Sequence, residues 1–442
     1  MRPWKDRTAS FGSVWAAAIT TAAFSLALIA SPKAAAQSYQ VLYSFEQGAN
    51  GSHPSSLIRA NDGSFYGTAN YGGSPACGGP GNGCGVVFRF ARSGNDWKIE
   101  PIYSFQGGAD GAGPVGIVFG PDGSLYGVTS AGGDMSPPYC GPEYGCGTVY
   151  KLTPACNSGS CTWSKTELYQ FHGGTDGLAP LYLTLGPDGS IYGSTVWGGG
   201  VEGCGTTGCG VIYSLKRENG SWIEEIIRRA GLSLQEPGGY SHYLTLDSRG
   251  NIYFSGGAGA YGSGGIFELL RSDSGWTEKT LYSFQGGDNG TWPTQVLFDK
   301  SGDLLGATYW GGPGGVSDGG GTLFELSPIG NGWRFTQLYG FLGTYGTGGP
   351  SAQMTIDSAG NLYGMTAYDG LYEFGNVFKL TREDDGWTYT DLHDFTGGDD
   401  GVWPEEGSLI IDADGTIYGT TISGGKNYCW EYGCGVVFKI TP

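Results

Sequence analysis

The sequence predicts an all-β protein, specifically a seven-bladed β-propeller, and three observations support that prediction. A hairpin phrase such as GPDGSLYG recurs seven times, with its turn glycine at Gly63, Gly123, Gly189, Gly250, Gly302, Gly360 and Gly415. Glycine accounts for 86 of the 442 residues, which short strands joined by glycine turns tolerate better than helices do. The two ends of the chain carry complementary parts of one further unit.

Each repeat is predicted to form four short strands, here named A to D. Strands A and B flank the turn glycine, because Asp-Gly and its variants supply the positive φ values that a tight hairpin needs. Strand C reads GVVFRFA at 85–91, and strand D, as in WKIEPIYSF at 97–105, begins with tryptophan in six repeats. The turn glycines are 52 to 66 residues apart, which is the size of a four-stranded propeller blade.

The ends of the chain indicate how the ring closes. The last repeat stops after strand C, whereas QSYQVLYSF at 37–45 has the pattern of a strand D alone. We expect this segment to complete the last blade, because closure removes open sheet edges. The predicted repeats are 46–105, 106–171, 172–230, 231–284, 285–341, 342–395, and 396–442 together with 37–45.

Residues 1–36 are predicted to be a signal peptide, and the propeller is predicted to span 37–442. Arg2, Lys5 and Arg7 precede an apolar segment at 13–30, and KAAAQ offers an Ala-x-Ala cleavage site ending at Ala36. The alternative is an uncleaved membrane anchor, for which this segment is only marginally long. The protein is therefore expected to be secreted or periplasmic.

The ten cysteines fall in close pairs, which in an exported protein predicts five local disulfides. The pairs are Cys77 with Cys84, Cys140 with Cys146, Cys156 with Cys161, Cys204 with Cys209, and Cys429 with Cys434. A zinc site is the weaker alternative, because the cysteine spacing does not fit and no histidine is adjacent to a pair. No metal and no cofactor are expected.

Residues 37–442 carry 19 Lys and Arg against 40 Asp and Glu. Nucleic-acid binding requires a basic surface, so we expect no nucleic-acid partner. Contact with an anionic membrane is disfavoured for the same reason once the signal peptide is removed. The protein is expected to be a monomer.

The phrases LYSFQGG at 281–287, DGSLYG at 122–127 and GCGTVYKLTP at 145–154 resemble those of the GloVer tandem-repeat family of exported bacterial proteins. The resemblance covers residues 38–442 and implies the repeat fold and export, but no particular activity. Repeats of that family are commonly followed by alternative C-terminal anchors. This sequence departs from that pattern by ending on its last blade, so a released protein is expected.

The B–C and D–A connections should lie at the same end of the blades, because successive strands alternate in direction. The B–C connections are long, aromatic and hold four of the five cysteine pairs, so this end is the predicted binding surface. Five tryptophans in or beside these connections are candidate platforms for sugar rings: Trp197, Trp292, Trp310, Trp403 and Trp430. Alternatively, these rings fill gaps between blades.

A second phrase, as in GGADGAGP, places an Asn or Asp at one position of five D–A connections: Asn50, Asp110, Asp176, Asn289 and Asp400. In one interpretation each side chain fixes its own turn by bonding to backbone N–H groups. In the other, these side chains converge near the axis and hold a cation or a polyhydroxylated ligand, although a seven-membered ring is wide for calcium.

We expect a non-enzymatic protein that binds an extracellular glycan, another polymer or a protein on this surface. One alternative is a polysaccharide lyase or glycoside hydrolase acting at the central opening. Its candidate groups are Glu143, Glu202, Glu405, Glu406, Glu431, His53, His172, His242 and His393. No recognised catalytic motif connects these groups, so no catalytic residue is assigned. The other alternative is a protein-interaction scaffold.

Overall fold

The computed structural model describes residues 37–442 except 79–81, 137, 142–143, 158–159, 201–207, 231–242, 258, 314–318, 343–347, 385, 405–406 and 430–431. The described residues form 28 β-strands and short 3₁₀ segments at Pro75–Cys77, Gly108–Asp110 and Gly287–Asn289. None of them forms a helix with the length and apolarity that crossing a bilayer requires. The predicted signal peptide, Trp430, Cys204, His242 and the five candidate glutamates lie outside this part of the chain.

The strands form seven four-stranded antiparallel sheets, in which the spatial order follows A to D. The first three sheets are β2 (Ser52–Arg59), β3 (Phe65–Tyr71), β4 (Val86–Ser93) and β5 (Asp96–Ser104); β6 (Ala112–Phe119), β7 (Leu125–Ala131), β8 (Thr148–Asn157) and β9 (Ser160–Gln170); and β10 (Gly177–Leu185), β11 (Ile191–Gly198), β12 (Val211–Glu218) and β13 (Ser221–Arg229). The next three are β14 (Thr245–Leu246), β15 (Ile252–Gly256), β16 (Gly265–Ser272) and β17 (Gly275–Ser283); β18 (Thr291–Phe298), β19 (Leu304–Trp310), β20 (Thr322–Ile329) and β21 (Gly332–Gly340); and β22 (Thr355–Ile356), β23 (Leu362–Thr366), β24 (Asn376–Glu383) and β25 (Gly386–Asp394).

The seventh sheet joins the two ends of the chain. It contains β26 (Ile410–Ile411), β27 (Ile417–Thr421), β28 (Val436–Thr441) and β1 (Ser38–Ser44) as its strand D. Strand β1 runs antiparallel to β28, with Ser38 opposite Thr441 and Ser44 opposite Val436. The predicted seven-bladed propeller, closed by its N-terminal strand, is therefore confirmed.

Strand A is the innermost strand of each sheet. Residues in or beside strand A of all seven sheets line one central cavity of about 400 Å³. Neighbouring inner segments are bonded to each other there: the Ser408 hydroxyl accepts from the N–H of Leu57 at 3.0 Å and donates to its carbonyl at 2.9 Å. The amide oxygen of Gln295 accepts from the N–H of Met354 at 2.8 Å. Polar side chains of the cavity thus connect blades.

A glycine in strand B explains why the repeated phrase cannot vary freely. Gly67 pairs with Phe88 on the adjacent strand C, and a Cβ at Gly67 would collide with that ring. Five other sheets repeat the pair as Gly127 with Tyr150, Gly193 with Tyr213, Gly306 with Phe324, Gly364 with Phe378, and Gly419 with Phe438. These aromatic rings are fully buried in clusters that combine neighbouring sheets, so the core lies between blades.

Four of the five predicted disulfides are present in the described residues. Three of them lie in B–C connections, whereas Cys156 and Cys161 face each other on β8 and β9 at the opposite end. The fifth predicted pair includes Cys204, outside the described residues. Disulfides of this number are typical of proteins from an extracellular or periplasmic location.

Candidate functional site

Most of the exposed large apolar side chains lie at one end of the propeller. This end carries the B–C and D–A connections and is here called the loop face. Among the described residues, eleven such side chains are exposed. Two, Ile223 and Ile329, lie on strand D and at the end of a strand C. The other nine lie in the loop-face connections or at the loop end of a strand B: Tyr139, Tyr144, Trp197, Tyr261, Leu342, Leu371, Tyr372, Tyr428 and Tyr432.

A residue followed by proline lies at the start of strand A in four blades and before strand A in the seventh blade, and in each case it contacts the preceding blade. We call these steps the interblade clasps: His53-Pro54, Gly113-Pro114, Ala179-Pro180, Trp292-Pro293 and Trp403-Pro404. The first residue of every clasp has a φ between 52° and 62°, which is the left-handed region that non-glycine residues rarely occupy. Such strain persists only where surrounding contacts impose it.

Those contacts come from the residues just before strand C of the preceding blade. The N–H of Trp403 donates to the carbonyl of Phe374 at 3.1 Å, and the N–H of His53 donates to that of Cys434 at 2.9 Å. The proline of the clasp packs on the glycine that follows the accepting residue in the preceding blade. A Cβ at Gly375, which follows Phe374, would therefore collide with Pro404. The same hydrogen bond and glycine contact recur at all five clasps. The clasps therefore fix the position of the residue that precedes each proline, on the loop face near the axis.

Five aromatic rings across blades five to seven form two contacting groups with Gly348 between them, here together called the aromatic arc: Tyr309, Trp310, Tyr368, Trp403 and Tyr432. Tyr309 and Trp310 meet edge to face with centroids 4.8 Å apart. Gly348 lies between Tyr309 and Tyr368, because a Cβ there would be 3.1 Å from the hydroxyl of Tyr309 and 2.7 Å from Cδ2 of Tyr368. Trp403 is 6.1 Å from Tyr368 and 4.7 Å from Tyr432.

The arc includes Trp310 and Trp403 and leaves the other described tryptophans outside it. Trp197 is 37% exposed at the end of strand B in blade three. Trp292 is a half-buried clasp residue in blade five. Blade two has Gly113 and Ala131 at the two positions that carry aromatic rings in the arc. Blade two is therefore small at these two positions, and its exposed aromatic residues, Tyr139 and Tyr144, lie further along its B–C connection.

The structure places four of the five predicted Asn and Asp residues against strand D, the outer strand, rather than at the axis. The Asp110 carboxylate accepts from the Tyr103 hydroxyl at 2.7 Å and from the N–H of Gln106 at 2.8 Å. Asp176 and Asp400 make equivalent contacts, and the Asn50 amide donates to Tyr43 at 3.3 Å. These contacts are those of a side chain that fixes its own turn. A ligand-binding role for these residues stays a prediction.

In one contact between a D–A connection and an outer strand, two acidic side chains, Asp176 and Glu224, lie together. Lys165 on β9 donates to Asp110 at 2.9 Å, but the equivalent residue on β13 is Glu224. The hydroxyl oxygen of Tyr169 lies 3.2 Å from Asp176 and 3.1 Å from Glu224. Burial, and then the Asp176 carboxylate, raise the pKa of Glu224 to about 8. Since one hydroxyl cannot donate to both carboxylates, the raised pKa favours a proton on the Glu224–Asp176 pair.

The central opening offers little acid–base chemistry in the described part of the chain. The residues that line the 400 Å³ cavity include serine, threonine, glutamine and tyrosine, and none of them is Asp, Glu or His. The described residues contain no group of three or more His, Cys, Asp or Glu arranged to hold a metal ion. Of the predicted histidines, His53 is buried and burial lowers its pKa to about 4, so its ring is neutral.

Sequence reasoning missed the tyrosines of the loop face. The aromatic candidates were all tryptophans, whereas Tyr309, Tyr368 and Tyr432 complete the arc and seven other exposed residues are tyrosines or leucines of the connections. One usable signal was present, because an aromatic residue precedes the glycines that follow strand B in NYGG at 70–73 and AYDG at 367–370. Whether these aromatic residues come together on the loop face depends on how neighbouring blades pack.

Solved structures with this fold are similar to the chain at low sequence identity. A catalytically inactive virginiamycin B lyase from Staphylococcus aureus, solved with quinupristin, has a TM-score of 0.53 and 14% identity, covering 92% of this chain and 99% of that one. The extracellular domain of a one-component system from B. thetaiotaomicron has a TM-score of 0.49 and 13% identity, covering 88% of this chain and 39% of that one. The first of these likenesses shows the propeller fold alone. Comparison with curated proteins finds no match.

The family model for the Gloeobacter/Verrucomicrobia repeat matches the sequence four times. The matches cover residues 1–202, 81–313, 202–388 and 313–442, which together include the entire chain. They agree with the repeated phrases, the strand B glycines and the seven sheets described above. The chain belongs to the Gloeobacter/Verrucomicrobia repeat family.

Proposed function

We propose that this protein is a non-enzymatic binding protein that recognises a glycan or another extracellular polymer on its loop face. The observation that carries the proposal is the position at this one end of nine of the eleven large apolar side chains that are exposed among the described residues. Apolar side chains gathered on one surface mark interaction sites. Loops held by a rigid scaffold are where binding residues concentrate.

The aromatic arc favours a glycan among the extracellular polymers. Trp and Tyr rings combine a broad apolar face with a polar edge, which suits a sugar ring that presents C–H groups on its faces and hydroxyls around its rim. Four of the arc rings are half-buried, and the exposed Tyr432 lies in the connection closed by the Cys429–Cys434 disulfide. A surface fixed before binding loses little conformational entropy when the ligand arrives.

The remaining parts of the proposal concern the setting in which this surface works. We include export directed by residues 1–36, a monomeric state, and no nucleic-acid or membrane partner. The excess of acidic over basic residues supports the last point, since phosphate backbones and anionic lipids would be repelled.

The test is retention on a panel of insoluble polysaccharides and titration with their soluble oligomers. The test variant combines Trp310→Ala, Tyr368→Ala and Trp403→Ala. Native blades carry Ala131 and Ala179 at these positions, so the fold accepts the changes. We expect the variant to bind at least about tenfold more weakly, which is about 1.4 kcal/mol.

The matched control changes the two exposed apolar residues elsewhere, Ile223→Ala with Ile329→Ala, and it should bind as the unchanged protein does. Unaltered binding by the triple variant would show that the arc is not the binding surface. A protein that retains no polysaccharide of the panel would overturn the proposal itself.

A further inference from the structure

The loop face is almost without basic residues. In the described B–C and D–A connections the only Lys or Arg is Lys426. The same connections contain nine acidic residues: Glu46, Asp110, Asp134, Asp176, Asp288, Asp369, Glu373, Asp399 and Asp400. By sequence, the undescribed residues of these connections add further Asp and Glu and no Lys or Arg. The basic residues of the chain are thus concentrated on strands and at the opposite end.

This distribution selects the charge of a ligand. Asp110 is paired with Lys165, Asp134 with His172 and Asp400 with His393. At physiological ionic strength, charges within about 8 Å still act on one another, so a carboxylate- or sulfate-bearing polymer would be repelled by the remaining carboxylates of this surface. His53 supplies no compensating charge, because burial lowers its pKa to about 4. A ligand that carries positive charge would meet complementary potential, which favours encounter and specificity.

Acidic groups lie next to the aromatic arc itself. Asp369 directly follows Tyr368 in the chain, and the exposed Glu373 lies in the same connection. Burial, and then the Asp394 carboxylate, raise the pKa of Asp369, and a cation placed nearby would stabilise its ionised form. Aromatic faces attract cations as well, most strongly when the ring is Trp or Tyr.

We propose that the polymer bound at the aromatic arc is a polysaccharide of amino sugars whose amines are free and protonated. This inference rests on the proposed function and adds the chemistry of the ligand. Sugar rings stack on the arc, and the ammonium groups face Asp369, Glu373 and the aromatic faces. A neutral glycan would use the rings alone, and a basic peptide would use the charge alone.

The experiment compares three probes of equal chain length by calorimetric titration at low and at physiological salt. They are glucosamine oligomers with free amines, the same oligomers fully N-acetylated, and oligolysine. We expect the free-amine oligomer to bind most tightly and to weaken with salt, the N-acetylated oligomer to bind more weakly without salt dependence, and oligolysine to bind least.

The charge contribution is tested by Asp369→Asn with Glu373→Gln. Its control is Asp273→Asn with Asp384→Asn, which removes the same charge from the C–D turns at the opposite end. The loop-face pair should weaken binding of the free-amine oligomer by about fivefold per exposed ion pair lost. It should leave the N-acetylated oligomer unaffected, and the control pair should change neither.

Equal affinity for the two sugar oligomers, lost in the triple arc variant, would overturn the amine preference and leave the proposed function standing. Oligolysine binding as tightly as the free-amine oligomer would overturn recognition of a sugar here. Failure of every polysaccharide to bind would overturn both proposals.

Discussion

Replacing Glu224 with glutamine is expected to stabilise the protein at neutral and alkaline pH. Burial and the neighbouring Asp176 carboxylate raise the pKa of Glu224 from 4.5 to about 8. With a raised pKa, the folded chain keeps a proton that the unfolded chain releases, so stability is lost as the pH rises from about 4.5 to about 8. Glutamine cannot ionise and its amide can donate to Asp176, so Glu224→Gln should not show this loss.

The structure sets the size of the effect. A shift from 4.5 to about 8 corresponds to about 5 kcal/mol at 1.36 kcal/mol per pH unit. The Glu224 side chain keeps partial contact with solvent, which screens the interaction, so we expect about 2 kcal/mol at pH 8. Toward pH 4.5 the difference in unfolding free energy between variant and wild type should shrink to a fraction of this value.

Urea unfolding followed by tryptophan fluorescence, at intervals from pH 4.5 to 8.5, measures this difference. Glu225→Gln is the matched control of opposite sign, because the hydrogen bond from Lys216 lowers the pKa of Glu225. That variant should be less stable than wild type at pH 7 and approach it as the pH falls. A stability difference for Glu224→Gln that does not change with pH, or a variant less stable than wild type at pH 8, would refute the reasoning.

Three further predictions concern the fold. Tyr150→Phe should raise the unfolding free energy by about 1 kcal/mol, because the buried Tyr150 hydroxyl has no hydrogen-bond partner in the part of the chain that the structure describes; chemical denaturation measures it. Gly147→Ala should destabilise the protein by about 2 kcal/mol or more, since φ is 91° and a Cβ would collide with Pro180; thermal melting followed by circular dichroism measures it. Replacing Cys156 and Cys161 with serine should cost about 2 kcal/mol in stability and leave polysaccharide retention unchanged.

Each of these predictions has an outcome that contradicts it. Tyr103→Phe, which loses a hydrogen bond to Asp110, is the control for the first and should destabilise; equal losses in both variants would show that the buried hydroxyl is satisfied. An unchanged melting temperature for the glycine variant would mean that its clasp does not hold the blades. Reduced retention by the serine variant would mean that the opposite end of the propeller takes part in binding.

The fold could be predicted because its signals are local and repeated. Asp-Gly turns such as that at Gly123 set each hairpin, and the missing strand D of the last repeat matched the segment that became β1. The disulfides followed from spacing alone, since two cysteines a few residues apart in a connection have few other partners. These features depend on short stretches of chain whose conformation neighbouring blades do not alter.

The candidate site depended on packing that the sequence does not display. A residue before proline normally adopts extended backbone, so the left-handed conformation of Trp292 and Trp403 could not be anticipated. That conformation is imposed by a carbonyl of the preceding blade, about 30 residues earlier for Trp403. Likewise, the repeat phrase alone is compatible with Asp110 as a ligand near the axis. Its contacts with Tyr103 and Lys165 on the outer strands become visible only in the structure.

The pairing of β1 with β28 also constrains the order in which the seven sheets can form. The earliest segment of the propeller to leave the ribosome has its partner among the very last residues, nearly 400 positions later. Six sheets can assemble while synthesis continues, but the seventh must wait, and its Tyr39 and Val41 stay without their neighbours Phe438 and Ile440 until then. Contacts of such long sequence separation form slowly. Closure of the ring by pairing of β1 with β28 is therefore the step at which an incompletely folded chain is most exposed to association with another copy of itself.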